Sequence, residues 1–503
     1  MILYDKHVMV IGLAILVVVL LVAAAILWAY ITNPFSRLSV IRQPLTVAVQ
    51  KKRLIITNEN HRITLRQNIF WRTYAVYVKC FVHVLATRYL HSPASRSTTV
   101  EGIIADIHAH RFKRDRLLLT SGDHFSALFV RNLGVFYYPM LDTRIKSSQK
   151  DWEDRQIVYL QTVGYALGVF AKHRVPVTTI VSTGPRAATC VNIYAYPSDA
   201  LYGVLYALAA LLGKEPATPV PHIGKARQTL QTAEAAGQLL TEYKDVLADL
   251  YTHYRQTVFD PQTGLIRKDI HLSGAKDITR RTCAFFDNVI FWKTTQLAAE
   301  LGIIPKDATF LRVLKQRILK TFWLEAEGHF LEDLSEESLE HHYYSSDWLI
   351  ALVTGFLSPE NARERKYFAR SVSYIRAHDI DKPFAVKYQH ETRAHRQFFW
   401  VRLVMASYGG DAIWSFWGME YIKTLLLLYK ETKDASYLEA ADFHIAAYER
   451  AMLRDRGFPE VYDKDGNLLQ TLIYRSIRQT GWVIGFEQVR TLRAAIARAA
   501  ARS

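Results

Sequence analysis

The chain has 503 residues, 63 Lys and Arg against 47 Asp and Glu, a net charge of +16, and 50% apolar residues. That apolar half excludes an intrinsically disordered chain and suffices for a large core. Gly and Pro number only 23 and 15, which argues against a loop-rich all-β chain and for long helices.

The first element is residues 8–31, which carry no charge. As a helix they would be about 36 Å long, enough to cross a bilayer. Lys6 and His7 flank one end, Trp28 and Tyr30 lie at the other, and Asn33-Pro34 ends the run. The apolar stretch is too long for a cleaved signal peptide. The pattern predicts a single-pass membrane protein whose body is tethered to the lipid bilayer through residues 8–31. Arg37, Arg42, Lys51, Lys52 and Arg53 follow the span and by the positive-inside count point to the cytoplasm. No nucleic-acid-binding motif accompanies the basic balance, so nucleic acid is not an expected partner.

Residues 44–67 read as a small β unit, LTVAVQ and RLIITN around Lys51-Lys52 and then ITLRQ. Phe70 to Leu90 reads as an amphipathic helix. From about residue 120 the spacing predicts helix after helix: 123–138, 152–172, 198–212, 225–257, 287–301, 307–322, 346–356, 359–378, 392–407, 413–430, 435–453 and 477–500. Three connections share an aromatic-flanked glycine turn: FDPQTGLIRKD, FWLEAEGHFLED and GFPEVYDKDGNLL. Gly264 and Gly328 are 64 residues apart, and Gly328 and Gly466 are 138 apart, about twice that. A helix pair plus a turn therefore recurs, and a closed ring of six helical hairpins fits the length better than an open solenoid. The expected fold is mainly α: an (α/α)6 barrel at 111–503, after a transmembrane anchor at 1–34 and a small β/helix unit at 35–110.

In such a barrel the loops at one end of the inner helices would form the pocket. Glycosidic bond cleavage needs one protonated carboxyl and one ionised carboxylate, and sugar faces stack on aromatic rings. Candidate segments are RRTCAFFDNVIFW with Asp287 and Trp292, and HHYYSSDWLIAL with Asp347 and Trp348. Others are YGGDAIWSFWGMEY with Asp411, Trp414 and Trp417, and GFPEVYDKDG with Glu460. TSGDHFSALFVRNLGVFYYPMLD adds Asp123, Arg131 and Asp142. Cys80, Cys190 and Cys283 are far apart, and no His-x-x-x-His falls on a predicted helix, so no metal site is expected.

These segments resemble the six-hairpin (α/α)6-barrel glycosidases, the group of glucoamylase, trehalase, processing α-glucosidase and debranching-type glucosidases, over roughly residues 120–500. AFFDNVIFW looks like the segment that carries the general acid, and PEVYDKDG looks like the one that carries the base. The run YGGDAIWSFWGMEYI is similar to a pocket-lining run of the debranching type. The resemblance implies an inverting glycoside hydrolase with Asp287 as acid and Glu460 as base, acting on an α-linked oligo- or polysaccharide. It implies Arg131, Trp292, Asp347, Trp348, Asp411, Trp414 and Trp417 as substrate-binding residues, no cofactor, and an extracytoplasmic body. Phe286 stands where the group has a glycine, and Ser415 where it has a proline. Arg280 or Arg281 is the candidate to replace an arginine that the group keeps beside the acid. The alternatives are a polysaccharide lyase or sugar epimerase built on the same barrel, or an inactive glycan-binding scaffold.

Overall fold

The computed structural model of the chain describes residues 94–111, 117–121, 127–141, 149–184, 187–191, 198–214, 230–270, 279–397 and 399–501. It also describes 46–50, 53–57, 62–66, 84–89 and a few isolated positions, Lys276 among them. The expected β unit is a three-stranded antiparallel sheet of β1 (Thr46–Gln50), β2 (Arg53–Thr57) and β3 (Arg62–Arg66). The membrane placement expected from the N-terminus is corrected: no helix among the described residues is long and apolar enough to cross a membrane. Apart from Leu20, Leu21 and Ala24, the stretch 8–31 lies outside the described residues.

The body alternates outer and inner elements. The outer ones are α1 (Val100–Arg111), α2 (Gln149–His173), α4 (Leu230–Val258), α6 (Ala308–Phe322), α7 (Arg365–Ala377) and α9 (Ala435–Asp455). The inner ones are a 130–141 segment of two 3-10 turns, α3 (Ser198–Leu211), α5 (Phe285–Glu300), a short 346–353 helix, α8 (Ser415–Thr432) and α10 (Val483–Ala500). Sequence decides which layer each joins. SDALYGVLYALAAL is apolar all round, and all 14 residues of α3 are buried. ATFLRVLKQRILKTF is apolar on one stripe, and α6 buries only Leu314, Ile318 and Phe322. Asp307 caps α6, accepting from the Phe310 N–H at 2.8 Å.

Neighbouring inner elements touch in order around the ring: 130–141 with α3, α3 with α5, α5 with 346–353, then α8, then α10. α10 returns to the second turn of the 130–141 segment and closes the circle. A wholly buried polar group seals this seam. Tyr138 donates to the Glu420 carboxylate at 3.0 Å, and Lys423 reaches Glu420 at 2.6 Å and Gln488 at 2.7 Å. α1 packs on α9, and its His108 bonds Glu487 of α10 at 2.7 Å.

Two helix expectations are corrected. Residues 123–138 do not form an α-helix over their described part. β4 (Leu128–Phe129) pairs with β5 (Thr179–Gly184), which pairs in turn with β6 (Ala187–Val191). The chain then turns tightly against α3, where a Cβ on Gly203 would sit 2.6 Å from the Val130 carbonyl oxygen. The 392–407 helix shrinks to Phe399–Met405. The glycine turns are hairpins as read: β7 (Phe259–Asp260) with β8 (Leu265–Ile266), and β9 (Trp323–Leu324) with β10 (His329–Phe330). Gly264 and Gly328 have φ of +68° and +78°, a region open to glycine.

Candidate active site

Each of these hairpins links the end of an outer helix to the start of an inner one, so inner-helix N-termini gather at one end of the ring. Phe286 in the first turn of α5 meets Trp417 in the first turn of α8, ring centroids 6.4 Å apart. Trp414, just before α8, stacks on Trp482, just before α10, at 5.7 Å, and Trp482 stacks on Phe136 at 5.0 Å. Aligned N-termini favour negative groups, and three inner helices carry an aspartate there: Asp199, Asp287 and Asp347.

Asp287 is buried, 3% exposed, and does not cap its helix; the N-cap position is Ala284. Its neighbour Asn288 is structural. The Asn288 carbonyl oxygen accepts from the Ile266 N–H at 3.1 Å, and its amide donates to the Ala284 carbonyl at 2.9 Å, fixing α5 to the β7–β8 hairpin. Arg281 pairs with Asp347 and lies in the field of Asp287. Burial works against its charge, but Asp347, Tyr388, Asp287 and Glu332 together outweigh that and hold the guanidinium protonated. The Tyr388 hydroxyl approaches Asp347 at 3.5 Å. Burial first, and then Asp347, push the Tyr388 phenol well above its ordinary range.

Beside this pair sits a denser one. Glu332 accepts from Lys276 at 2.6 Å, Gln389 at 2.9 Å and Arg396 at 2.9 Å, and Arg393 lies at 3.6 Å. Burial would raise its carboxyl, but Lys276, Arg396, Arg281 and Arg393 overcome this and hold it at about 2. Arg396 also bonds Asp333 at 2.6 Å, and Lys276 lies 4.6 Å from the centre of the Tyr388 ring.

Glu460 is 5% exposed. Its N–H donates to the Ile477 carbonyl at 3.0 Å, and its carbonyl accepts from the Ser415 N–H at 3.1 Å. It immediately precedes β12 (Val461–Tyr462), which pairs with β11 (Ile413–Trp414) so that Val461 faces Trp414. Trp414 packs on Tyr388 at 5.0 Å, which joins the Glu460 side of the cluster to the Arg281–Asp347 side.

The other expected residues fall in several places. Asp411 is partly buried on the loop before β11, and its Oδ1 has no hydrogen-bond partner among the described residues. Arg131 lies over the rings of Phe129 and Phe136, at 5.3 and 6.0 Å. Trp417 is fully buried against Phe416 and Phe286. Trp348 is packed between Phe330 and Phe368, its indole donating to the Tyr344 hydroxyl at 3.2 Å. Trp292 packs edge-on to Phe356 and donates to the Leu311 carbonyl at 3.1 Å. Asp123 and Asp142 lie outside the described residues. Lys276, Glu332, Tyr388, Gln389 and Arg396 were not singled out from sequence. The only signal for Glu332 is its place just after a glycine hairpin, whereas Glu460 was sought just before one.

A pocket of about 270 Å³ opens between the β7–β8 hairpin and α6, lined by Leu265, Ile266, Lys268, Cys283, Arg317 and Thr321. Burial pushes the Cys283 thiol up to about 12, so it is no nucleophile at neutral pH. Among the described residues no group of three or more His, Cys, Asp or Glu could hold a metal ion.

No family model matches the chain, and no curated protein matches it. Among solved structures it is similar to a D-mannose isomerase, at 12% identity and a TM-score of 0.44, over 80% of this chain and 100% of that one. It is also similar to cellobiose 2-epimerase from Spirochaeta thermophila, at 12% and 0.43, over 83% and 97% of the two chains. A GH63 mannosylglycerate hydrolase from Thermus thermophilus in complex with glucose matches at 12% and 0.46, over 77% and 99%.

Proposed function

We propose that the chain is a glycoside hydrolase that cleaves an α-linked oligo- or polysaccharide with inversion. Asp287 protonates the glycosidic oxygen as the bond to the anomeric carbon breaks. Glu460 takes a proton from the water that attacks that carbon from the opposite face. Inversion needs room for this water, a carboxyl separation of about 6.5–9.5 Å. The observation that carries the reading is the burial of both carboxyls, 3% and 5% exposed, in an aromatic setting at the inner-helix N-termini. There Phe286, Trp417, Tyr388 and Trp414 form one packed series. In this reading Arg281 and Asp347 shape the acid's side of the pocket, and Asp411 and Arg131 meet sugar hydroxyls.

Tyr388 does not suit the role of a lyase's tyrosine base. A base must give up its proton near the working pH, and burial beside Asp347 holds this phenol far above it. The test is reducing-sugar release from a panel of α-linked oligosaccharides by the wild type, Asp287→Asn and Glu460→Gln. Both variants should stay folded and lose roughly 10²–10⁴-fold in kcat. Unchanged turnover in either variant sinks the assignment of that residue.

A further inference from the structure

The segment that carries Glu460 is held from outside the barrel. Its inner edge is bonded to α8 through Ser415. Its other edge rests on the 469–478 segment: Phe458 N–H donates to Arg478 at 2.7 Å, and Glu460 N–H to Ile477 at 3.0 Å. Val461 N–H donates to the Ser476 hydroxyl at 2.9 Å. That segment doubles back on itself, with Ser476 N–H on the Leu469 carbonyl at 2.8 Å and Thr471 N–H on the Tyr474 carbonyl at 2.7 Å. The tip of the loop contributes little packing of its own, and Leu472 is 79% exposed.

What grips the tip is a helical turn nearly 400 residues earlier in sequence (|i−j| of 383 and 388). Arg88 donates to the Thr471 carbonyl at 2.8 Å, Tyr89 donates to the Leu472 carbonyl, and Arg475 donates to the Thr87 carbonyl. A second grip lies on the other flank of Glu460. Ser95 N–H donates to the Arg456 carbonyl at 2.7 Å, and the Arg456 guanidinium donates to the Ser97 carbonyl at 2.6 Å. Two charge-assisted bonds and a hydroxyl on one flank, and a reciprocal pair on the other, bracket the 456–475 stretch. All five end on backbone carbonyls, so they fix the path of the chain rather than the identity of the residues they reach.

We propose that residues 87–89 and 95–97 act as an external clamp that positions Glu460, making the N-terminal segment part of the catalytic apparatus. The catalytic half of this statement rests on Glu460 being the base; the mechanical half does not. Arg88 and Arg475 are positioning residues, for they touch neither carboxyl. A carboxylate that drifts by about an ångström is enough to cost roughly a hundredfold in rate.

The test uses the full chain and compares wild type with Arg88→Ala, Arg88→Lys, Arg475→Ala and Glu460→Gln. Backbone hydrogen exchange over residues 458–478 is measured alongside initial rates on the oligosaccharide that the wild type cleaves. In Arg88→Ala and Arg475→Ala, exchange at Val461 and Ser476 should quicken at least tenfold, with exchange in α3 and α5 unchanged. Their kcat should fall roughly tenfold or more while KM stays within about twofold, because sugar contacts are retained. Arg88→Lys, which keeps a cationic donor, should recover most of both. Tyr89→Phe, which loses only a hydroxyl, carries the same comparison if Arg88→Ala does not fold. Unchanged exchange in the alanine variants overturns the clamp. Faster exchange with an unchanged kcat overturns its catalytic role. Full activity in Glu460→Gln removes the base assignment itself, and is told apart from a failed clamp because exchange in the arginine variants is read without reference to turnover.

Discussion

Glu332 shows how much a single buried carboxylate can organise. Its partners come from three separate stretches, Lys276, Gln389 and the Arg393–Arg396 turn. Its pKa is depressed, so the stability it contributes is full above the unfolded value near 4.5 and is lost as pH falls through about 2. That difference corresponds to about 3 kcal/mol. Urea titrations between pH 7 and pH 2 should therefore show a steep acid limb below about pH 4.5, shallower in Glu332→Gln. At neutral pH the same variant strands Lys276 and leaves Arg396 only Asp333 among buried carboxylates, and should lose about 3–5 kcal/mol. Asp411 offers a cleaner test of binding. Its Oδ1 makes no hydrogen bond among the described residues, so Asp411→Ala removes little that holds the fold together. If a sugar hydroxyl donates to it, KM should rise roughly 10- to 100-fold, with the melting temperature unchanged. A KM that does not move excludes that contact.

At the scale of elements, local pattern and distant packing divide the credit. The glycine hairpins were legible because each turn announces itself in about ten residues of its own sequence. The helical spacing of α3 and α6 was legible for the same reason: periodicity is a local property. Asp287 and Glu460 were candidates because one lies at the start of a predicted helix and the other beside a glycine turn. The Glu332 group was not, since its hydrogen bonds span 56 to 64 residues and nothing in one stretch names the other. The first inner element misled for a related reason. Its apolar spacing suits a helix, but it lies too close to the α3 backbone at Gly203 for helical side chains to intervene. Gly203→Ala should accordingly be costly, about 1–3 kcal/mol from overpacking or more if the turn is displaced. Chemical denaturation checks this, and a cost below about 0.5 kcal/mol would mean that the approach is slack.

At the scale of the molecule, the described helices form a ring in which α10 rests on the first inner segment. α10 touches both α8 and the 138–141 turn, and Tyr138, Glu420, Lys423 and Gln488 close the seam with no exposure to solvent. A chain ending at residue 434 would leave the buried face of α8 and the Tyr138 seam open to water. It should show no single cooperative urea transition and should bind ANS strongly, whereas the full barrel should unfold as one unit. A truncated chain that unfolds cooperatively would show that the first five outer–inner pairs form a stable body by themselves.

The closing of that seam has a consequence for how the protein is made. A ribosome releases the N-terminal half of the ring long before residues 483–500 exist, so the apolar inner faces must wait, unpaired, until those residues emerge. At about 5–20 residues per second that wait lasts tens of seconds, during which partly built rings can associate through the same faces. Chaperone demand during synthesis should be high for a chain built this way, and codon choices or truncations that lengthen the delay should lower soluble yield even where the finished protein is stable.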